Sequence, residues 1–361
     1  MTVSMPLPAR GLLILITVLC LTQWAAAENR SPAPAASRNA AQPGAAGAGP
    51  GGGDAPTLSV VEWLQRMHAA SRQRSYIGTF VVSSAGGNLS SARIWHVSEG
   101  DMQMERIEAL SGPPRSTYRR NDQVVTFLPE AKVVKSEKRE NMELFPNLSG
   151  APDSSIDEFY GAHVVGKDRV AGFDTDVLEV QPRDGLRYGY RVWSERRSGL
   201  AVKLQTLDGD ARVLEQSAFS ELELDAPVKM HLLAQKMANT AGYRIEKSEL
   251  EHTTAQREGW SLATPVDGFK PVSSLRRPME GEGEGHAMQW TFSDGLASVS
   301  LFIEPYDAQR KPREVLLALG ATNTLTRRLT DKNGEDWWLT AVGEVPPQTL
   351  DAFAHRLVRT R

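Results

Sequence analysis

The stretch Gly161-Ala162-His163-Val164-Val165-Gly166-Lys167 has the G-x4-G-K spacing of a phosphate-cradling loop, in which backbone amides and a lysine hold the phosphates. The next residue is Asp168, where such a loop needs Ser or Thr for magnesium. Val170 to Val180 also reads as loop and strand, not as the helix the motif requires. The segment is therefore read as a turn at a strand edge. The histidines (His68, His96, His163, His231, His252, His286 and His355) are scattered, with no H-E-x-x-H or other short metal spacing. No G-x-S-x-G nucleophile elbow occurs. The acidic residues form no local pair, and a carboxylate dyad assembled only by the fold leaves no trace in sequence. The expectation is a binding protein and not an enzyme, with no cofactor and no metal.

Large apolar side chains offer binding chemistry instead. Tyr188, Tyr190 and Val192 project from one face of a strand, with Gly189 and Trp193 on the other. Phe80, Ile94, Met102, Met104 and Phe127 are further large apolar residues on strands. They fit the core face of a sheet. They also fit a concave sheet whose cleft receives an acyl chain, for which flexible methionines are suited. Pattern alone leaves both readings open. Phe80, Ile94, Met102, Met104, Phe127, Tyr188 and Tyr190 are the lipid-binding candidates. Further along, Trp337-Trp338 put two indoles on opposite faces of one strand. One of them meets the terminal helix, meets another domain, or stands exposed as an anchor. With Trp290, Phe292 and the pair Arg276-Arg277 before Pro278, Trp337 completes a set of candidates for docking a protein partner.

These residues need elements to hold them, and the chain supplies two units. In 361 residues, 41 basic against 44 acidic side chains give a net charge of −3 and no basic stripe, so nucleic acid is not an expected partner. Arg10, the apolar run Gly11 to Leu21 and Ala25-Ala26-Ala27 have the layout of a cleaved signal peptide, 1–27. A dozen apolar residues fall short of the ~20 that span a membrane. Cys20 lies inside that signal and follows the large Leu19, which argues against lipidation, so the mature chain has no thiol. Residues 28–56 are an Ala/Gly/Pro tether with little to bury. Val60, Trp63, Leu64 and Met67 recur at helical spacing, with Thr57 or Ser59 as cap.

Beyond that helix the period becomes two. Strands are expected at Ala92–Val97, Met102–Ala109, Val124–Leu128, Val177–Gln181, Arg187–Trp193, Leu200–Thr206 and Val213–Glu221. Asp184-Gly185 and Asp208-Gly209 are read as tight hairpin turns. This unit, 57–225, is a large antiparallel sheet with helices on one side. A connection over 226–258 carries a helix from Met230 to Asn239. The second unit, 259–361, is α+β, with hairpins at Asp294-Gly295 and Asn333-Gly334, a mobile loop at Glu280 to Gly285, and a last helix opened by Pro346-Pro347.

Several blocks, in order, resemble the RseB/MucB family of periplasmic regulators of the sigma-E (AlgU-type) envelope-stress response. They are Ser111-Gly112-Pro113-Pro114-Arg115, the run Arg183 to Trp193, Leu207-Asp208-Gly209-Asp210, Ser273 to Pro278, Phe292 to Leu296 and Gly343 to Thr349. The similarity spans roughly Leu58 to Arg361, and the Ala/Gly/Pro tether departs from it. The resemblance implies an α+β fold. Its N-terminal unit would be a half-open antiparallel β-barrel wrapped on helices, like the lipoprotein carriers, and its C-terminal domain smaller. It implies a periplasmic negative regulator that binds the periplasmic domain of a transmembrane anti-sigma factor (RseA/MucA-like) and protects it from regulated proteolysis. Lipopolysaccharide or another acyl lipid would release that grip, and a homodimer stays open. The rival expectations are a lipid or lipoprotein carrier without a regulatory partner, and an envelope hydrolase.

Overall fold

Ser59 and Glu62 start the first helix by reciprocal capping. The Ser59 hydroxyl accepts from the Glu62 amide at 3.2 Å, and the Glu62 carboxylate accepts from the Ser59 amide at 2.7 Å. The structure is a computed structural model that describes residues 58–138, 155–247, 250–278, 286–310 and 313–360. The expected signal peptide, the tether and the loop Glu280 to Gly285 lie outside the described residues. Helix α1 (Val60–Gln73) buries Val60, Trp63, Leu64 and Met67, as its spacing predicts.

Twelve described strands form one sheet. They are β1 (Tyr76–Ser84), β2 (Leu89–Glu99), β3 (Met102–Ala109), β4 (Ser116–Arg120), β5 (Gln123–Leu128), β6 (Val133–Lys138), β7 (Tyr160–Val170), β8 (Phe173–Pro182), β9 (Gly189–Glu195), β10 (Ala201–Leu207), β11 (Val213–Leu224) and β12 (Arg244–Lys247). Their order, β12-β6-β5-β4-β3-β2-β1-β11-β10-β9-β8-β7, is antiparallel except where β12 joins β6 in parallel. The short α2 (Ile156–Phe159) precedes β7, and α3 (Met230–Ala238) precedes β12.

The stretch expected to be a phosphate-loop-like turn is in fact part of an edge strand. It lies within β7, with a bulge between Val164 and Gly166. The Asp208-Gly209 turn also differs from the expected tight form. Asp208 accepts hydrogen bonds from the amides of Asp210 and Arg212, both at 2.9 Å, and the positive φ falls on Ala211.

The second sheet contains β13 (Glu251–His252), β15 (Lys270–Pro278), β16 (His286–Ser293), β17 (Ser298–Pro305), β18 (Val315–Leu319), β19 (Thr322–Thr330) and β20 (Asp336–Gly343). Its order is β13-β15-β16-β17-β20-β19-β18. A separate pair joins β14 (Trp260–Leu262) to β21 (Leu357–Arg359) after the last helix, α4 (Pro347–Arg356). Leu350, Phe353 and Ala354 of α4 complete a core with Phe269, Trp290, Phe292, Leu301 and Leu339. The molecule is mostly β-sheet with few helices. The stretch between the units is not bare chain, since α3 packs on the first sheet and β12 extends it.

Candidate functional site

Residues directly opposite each other in an antiparallel ladder project from the same face. Register therefore sorts the candidate lipid-binding residues. One row runs Phe80–Ala92–Ala109 across β1, β2 and β3, and the Ala109 amide donates to the Arg115 carbonyl at 2.9 Å, carrying the row onto the start of β4. The next row is Gly78–Ile94–Ile107–Thr117. A third is Tyr76–His96–Glu105–Arg119. Phe80 and Ile94 share this face with Ala70 of α1, and with Ile107, Val177 and Trp193 form one buried cluster.

Met104 and Phe127 lie on the opposite face. Ile107 is Ile94's partner, so Met104, three residues earlier, points to the other side of the sheet. There Val97, Met104, Tyr118, Phe127 and Val134 are covered by Leu233 and Met237 of α3. Phe127 meets Tyr118 and Tyr243 edge-on, with centroids 5.6 and 5.4 Å apart. Met102 is half-buried, and its sulfur accepts from the Asn121 amide group at 3.4 Å. These five candidates thus form two groups separated by the sheet.

Polar groups are buried within the first face. Glu105 and Arg119 pair at 3.6 Å with side chains 3% and 8% exposed. Beside them His96 stacks on Tyr76 at 4.9 Å, and its Nδ1–H donates to the Arg74 carbonyl at 2.8 Å. Burial pushes the His96 pKa down and the Tyr76 pKa up, so both rings stay uncharged.

Tyr188 and Tyr190 sit elsewhere. Tyr190 is covered by the α1 side of the first unit, together with Tyr160, Leu178 and Val192. The Tyr188 hydroxyl accepts from Asn323 of β19 at 2.9 Å, which places it at the junction of the two units. That junction contains residues that the sequence did not single out. Arg187 is fully buried, and its Nε donates to the equally buried Asp294 at 2.7 Å. The guanidinium also bonds Asp184 and the Asp267 carbonyl, and its carbon lies 4.3 Å from the Phe159 ring centre and 4.8 Å from that of Phe269. Tyr160 donates to Asp294 at 2.9 Å, and the amides of Leu296 and Ala297 fill its other oxygen. Each unit also gives the other a leucine. Leu186 packs on the second core, and Leu296 enters the first. The Asp184-Gly185 segment, expected as a tight hairpin turn, is the wider loop that makes these contacts. An arginine inside an aromatic alternation, and an Asp-Gly turn shared by the resembling blocks, were the signals available for this junction.

Of the partner-docking candidates, Trp290 and Phe292 are 7% and 2% exposed, with rings 4.6 Å apart in the second core, and offer a partner little surface in this form. Trp337 is half-buried. Trp260 meets it edge-on at 5.4 Å, and the Arg359 guanidinium lies 4.2 Å from its ring centre. Its neighbour Trp338 is buried beside Tyr306. Arg276 is 40% exposed in its side chain and donates to Glu258 at 2.7 Å. Burial works against the Glu258 charge, but hydrogen bonds from Thr253 and Arg276 hold its carboxyl below the usual range. Arg277 donates to Gln289 at 2.6 Å. Among the described residues no group of three His, Cys, Asp or Glu side chains is placed to hold a metal ion.

Comparison with known proteins matches both units. Residues 59–237 match the MucB/RseB N-terminal domain, and residues 254–358 match the MucB/RseB C-terminal domain. Sigma factor AlgU regulatory protein MucB of Pseudomonas aeruginosa is 32% identical over 296 residues, which cover 81% of this chain and 89% of that protein. Sigma-E factor regulatory protein RseB of Escherichia coli K12 is 26% identical over 298 residues, with the same coverage of 81% and 89%. Among solved structures, the MucA/MucB complex of Pseudomonas aeruginosa superposes with a TM-score of 0.65 at 28% identity, over 83% of this chain and 99% of that one. The structure of MucB in complex with MucA(peri) gives a TM-score of 0.63 at 27% identity, over 83% of this chain and 98% of that one.

Proposed function

This chain belongs to the MucB/RseB family, and from that premise we propose that it is a periplasmic regulator that grips the periplasmic segment of a membrane-anchored, MucA/RseA-like anti-sigma factor. The observation that carries this reading is the match of both units, in one chain, to MucB bound to MucA. A carrier of lipid would need only the first. By gripping the segment the protein withholds it from the protease that would begin its breakdown. The exposed part of Arg276, with Arg277 and Trp337, is the proposed docking rim. The test is calorimetric titration of the chain with the periplasmic segment of the anti-sigma factor from the same organism, followed by digestion of that segment with and without the chain. Saturable binding and slowed cleavage are expected; no heat of binding and unchanged cleavage would overturn the reading.

We read the twelve-stranded sheet as a half-open barrel whose α1-side face takes an acyl chain, and the loaded form as the weaker grip. Phe80 and Ile94 lie on that face with Ile107. Met104 and Phe127 lie on the opposite face under α3, and Met102 shares their side by strand parity, so an acyl chain on the α1 side would run along Phe80 and Ile94 without them. Linkage demands that lipid and anti-sigma segment weaken each other equally. Burying a dozen methylenes at ~0.8 kcal/mol each supplies roughly 10 kcal/mol gross. A nearly complete switch needs a differential of about 5.5 kcal/mol. Equal affinity of the lipid-free and lipid-loaded chain for the segment would end this coupling.

A further inference from the structure

A strand at the edge of a sheet has backbone N–H and C=O groups with no neighbouring strand, and proteins guard such edges with charge, proline, bulges or brevity. Three of the four edges of the two large sheets are guarded in this way. β7 has a bulge between Val164 and Gly166, followed by Lys167-Asp168-Arg169. β12 is four residues long with Arg244, Glu246 and Lys247 among them, and β13 is only Glu251 and His252. The fourth edge, β18, is Val315-Leu316-Leu317-Ala318-Leu319, without a charge, a proline or a bulge. Leu316 and Leu317 are 51% and 39% exposed.

Leu316 ends the core-facing row Leu316–Leu325–Ala341–Leu301–Trp290, and Leu317 stands on the other face. The Val315 amide donates to the Thr326 hydroxyl at 3.0 Å, so Val315 turns its backbone toward β19. Strand alternation then turns the N–H and C=O of Leu316 and Ala318 to the open side. Such a row is completed by another backbone, which makes the fitting occupant an extended polypeptide. A second copy of this chain fits poorly. The antiparallel register that pairs all five residues with their own copies sets Glu314 opposite Gly320. Gly320 lies so close to Glu215 that any side chain there would meet its carboxylate. Like charges would then crowd each other at both ends of the pair.

We propose that β18 receives an extended apolar segment of the anti-sigma partner as an added strand, the eighth of the second sheet. The inference rests on the reading that this chain grips such a segment, and adds how the segment's backbone is held. Running antiparallel to β18, the segment passes Glu215 first and the exposed Arg313 last. A basic or neutral residue before its apolar run and an acidic one after it therefore complete the match. Apolar side chains on both of its faces extend the Leu316 row on one side and lie beside Leu317 on the other.

The experiment uses the full mature chain and its Ala318→Pro and Leu316→Lys variants, titrated calorimetrically with the periplasmic segment of the anti-sigma factor from the same organism. Proline at 318 removes an outward N–H and leaves the ladder to β19 intact, and edge strands accept it. Circular dichroism and thermal melting confirm that each variant folds. Both variants are expected to weaken binding roughly tenfold or more, as for the loss of a backbone hydrogen bond or two. In the unaltered chain the bound segment should slow amide hydrogen exchange in the fragment Arg313 to Gly320. Should Ala318→Pro fail to fold, Leu316→Lys and the exchange measurement carry the test. Unchanged affinity in the folded variants, with no slowing of exchange, overturns the proposal and leaves the grip itself standing. Failure of the unaltered chain to bind the segment overturns the grip and the proposal together. A concentration-dependent dimer, seen by sedimentation without the segment and abolished by Ala318→Pro, assigns the edge to a second copy and overturns the proposal.

Discussion

His96 is fully covered, stacked on Tyr76, and spends its one N–H on the Arg74 carbonyl. Because burial depresses its pKa, the folded imidazole stays neutral at a pH where the unfolded one, near 6.5, has begun to take up a proton. The unfolded state then binds more protons than the folded one. Stability therefore falls as pH drops from about 6.5 toward the lower folded value, and is unaffected by this residue at higher pH. Melting curves at pH 7.5 and 5.5 should show a smaller acid-induced drop for His96→Gln than for the unaltered chain; equal drops would remove His96 as the cause.

The same scale shows what strand alternation can and cannot reveal. Alternation places Ile94 and Met104 each on a definite side of its own strand, but it carries no information on register. In β2 and β3 partners sum to 201, as in Ile94–Ile107, so an even-numbered residue on one strand shares its face with odd-numbered residues on the other. Ile94 and Met104 had to part, and nothing local in the sequence could tell it. For Tyr188, Trp290 and Phe292 the missing information was likewise the position of the other segments, which decides whether an aromatic ring meets a ligand, a core or a neighbouring unit.

Among elements, strong periodicity was legible and exposure was not. Strand β3 has the limits its alternation predicts, and α1 buries the positions its spacing predicts. Strands β4, β6 and β7 were not anticipated. β7 is an outer strand with Val164 and Val165 about half exposed, so water-facing residues on both sides blur the alternation. Near the other edge, β6 pairs with β12 in parallel, where half the partnered pairs, such as Lys135 with Glu246, are wholly polar and break the alternation. Helix α1 offers the cleanest test at this scale. Its capping box satisfies two amides that would otherwise lack partners. Ser59→Ala should lower stability by about 1 kcal/mol, read from the midpoint of urea unfolding at constant slope. No change in midpoint would mean that the packing of Trp63 and Leu64 holds the helix start without the cap.

At the scale of the whole molecule, the buried Arg187–Asp294 pair and the exchanged leucines join the two units. Cutting one partner from a buried ion pair costs about 3–5 kcal/mol, since the other charge stays buried and alone. Arg187→Met should cost that much, whereas Arg187→Met with Asp294→Asn should recover a large part of it. Calorimetry should show a single transition in the unaltered chain and two in Arg187→Met. If the single variant keeps one transition and loses less than about 1 kcal/mol, the ion pair does not couple the units. That coupling matters for the proposed regulation, because a ligand on the first sheet influences a partner on the second only through contacts between them.

The exchanged leucines bear on how the chain is made. Asp294 follows Arg187 by 107 residues, and Leu296 comes just after it. At the ~5–20 residues per second of synthesis, roughly 5–20 seconds separate the emergence of the two partners. Throughout that interval Arg187 has Asp184 as its carboxylate partner but lacks Asp294, and the core beneath α1 lacks Leu296. The first core therefore closes only when the late segment arrives, so completion of the first unit waits on the second.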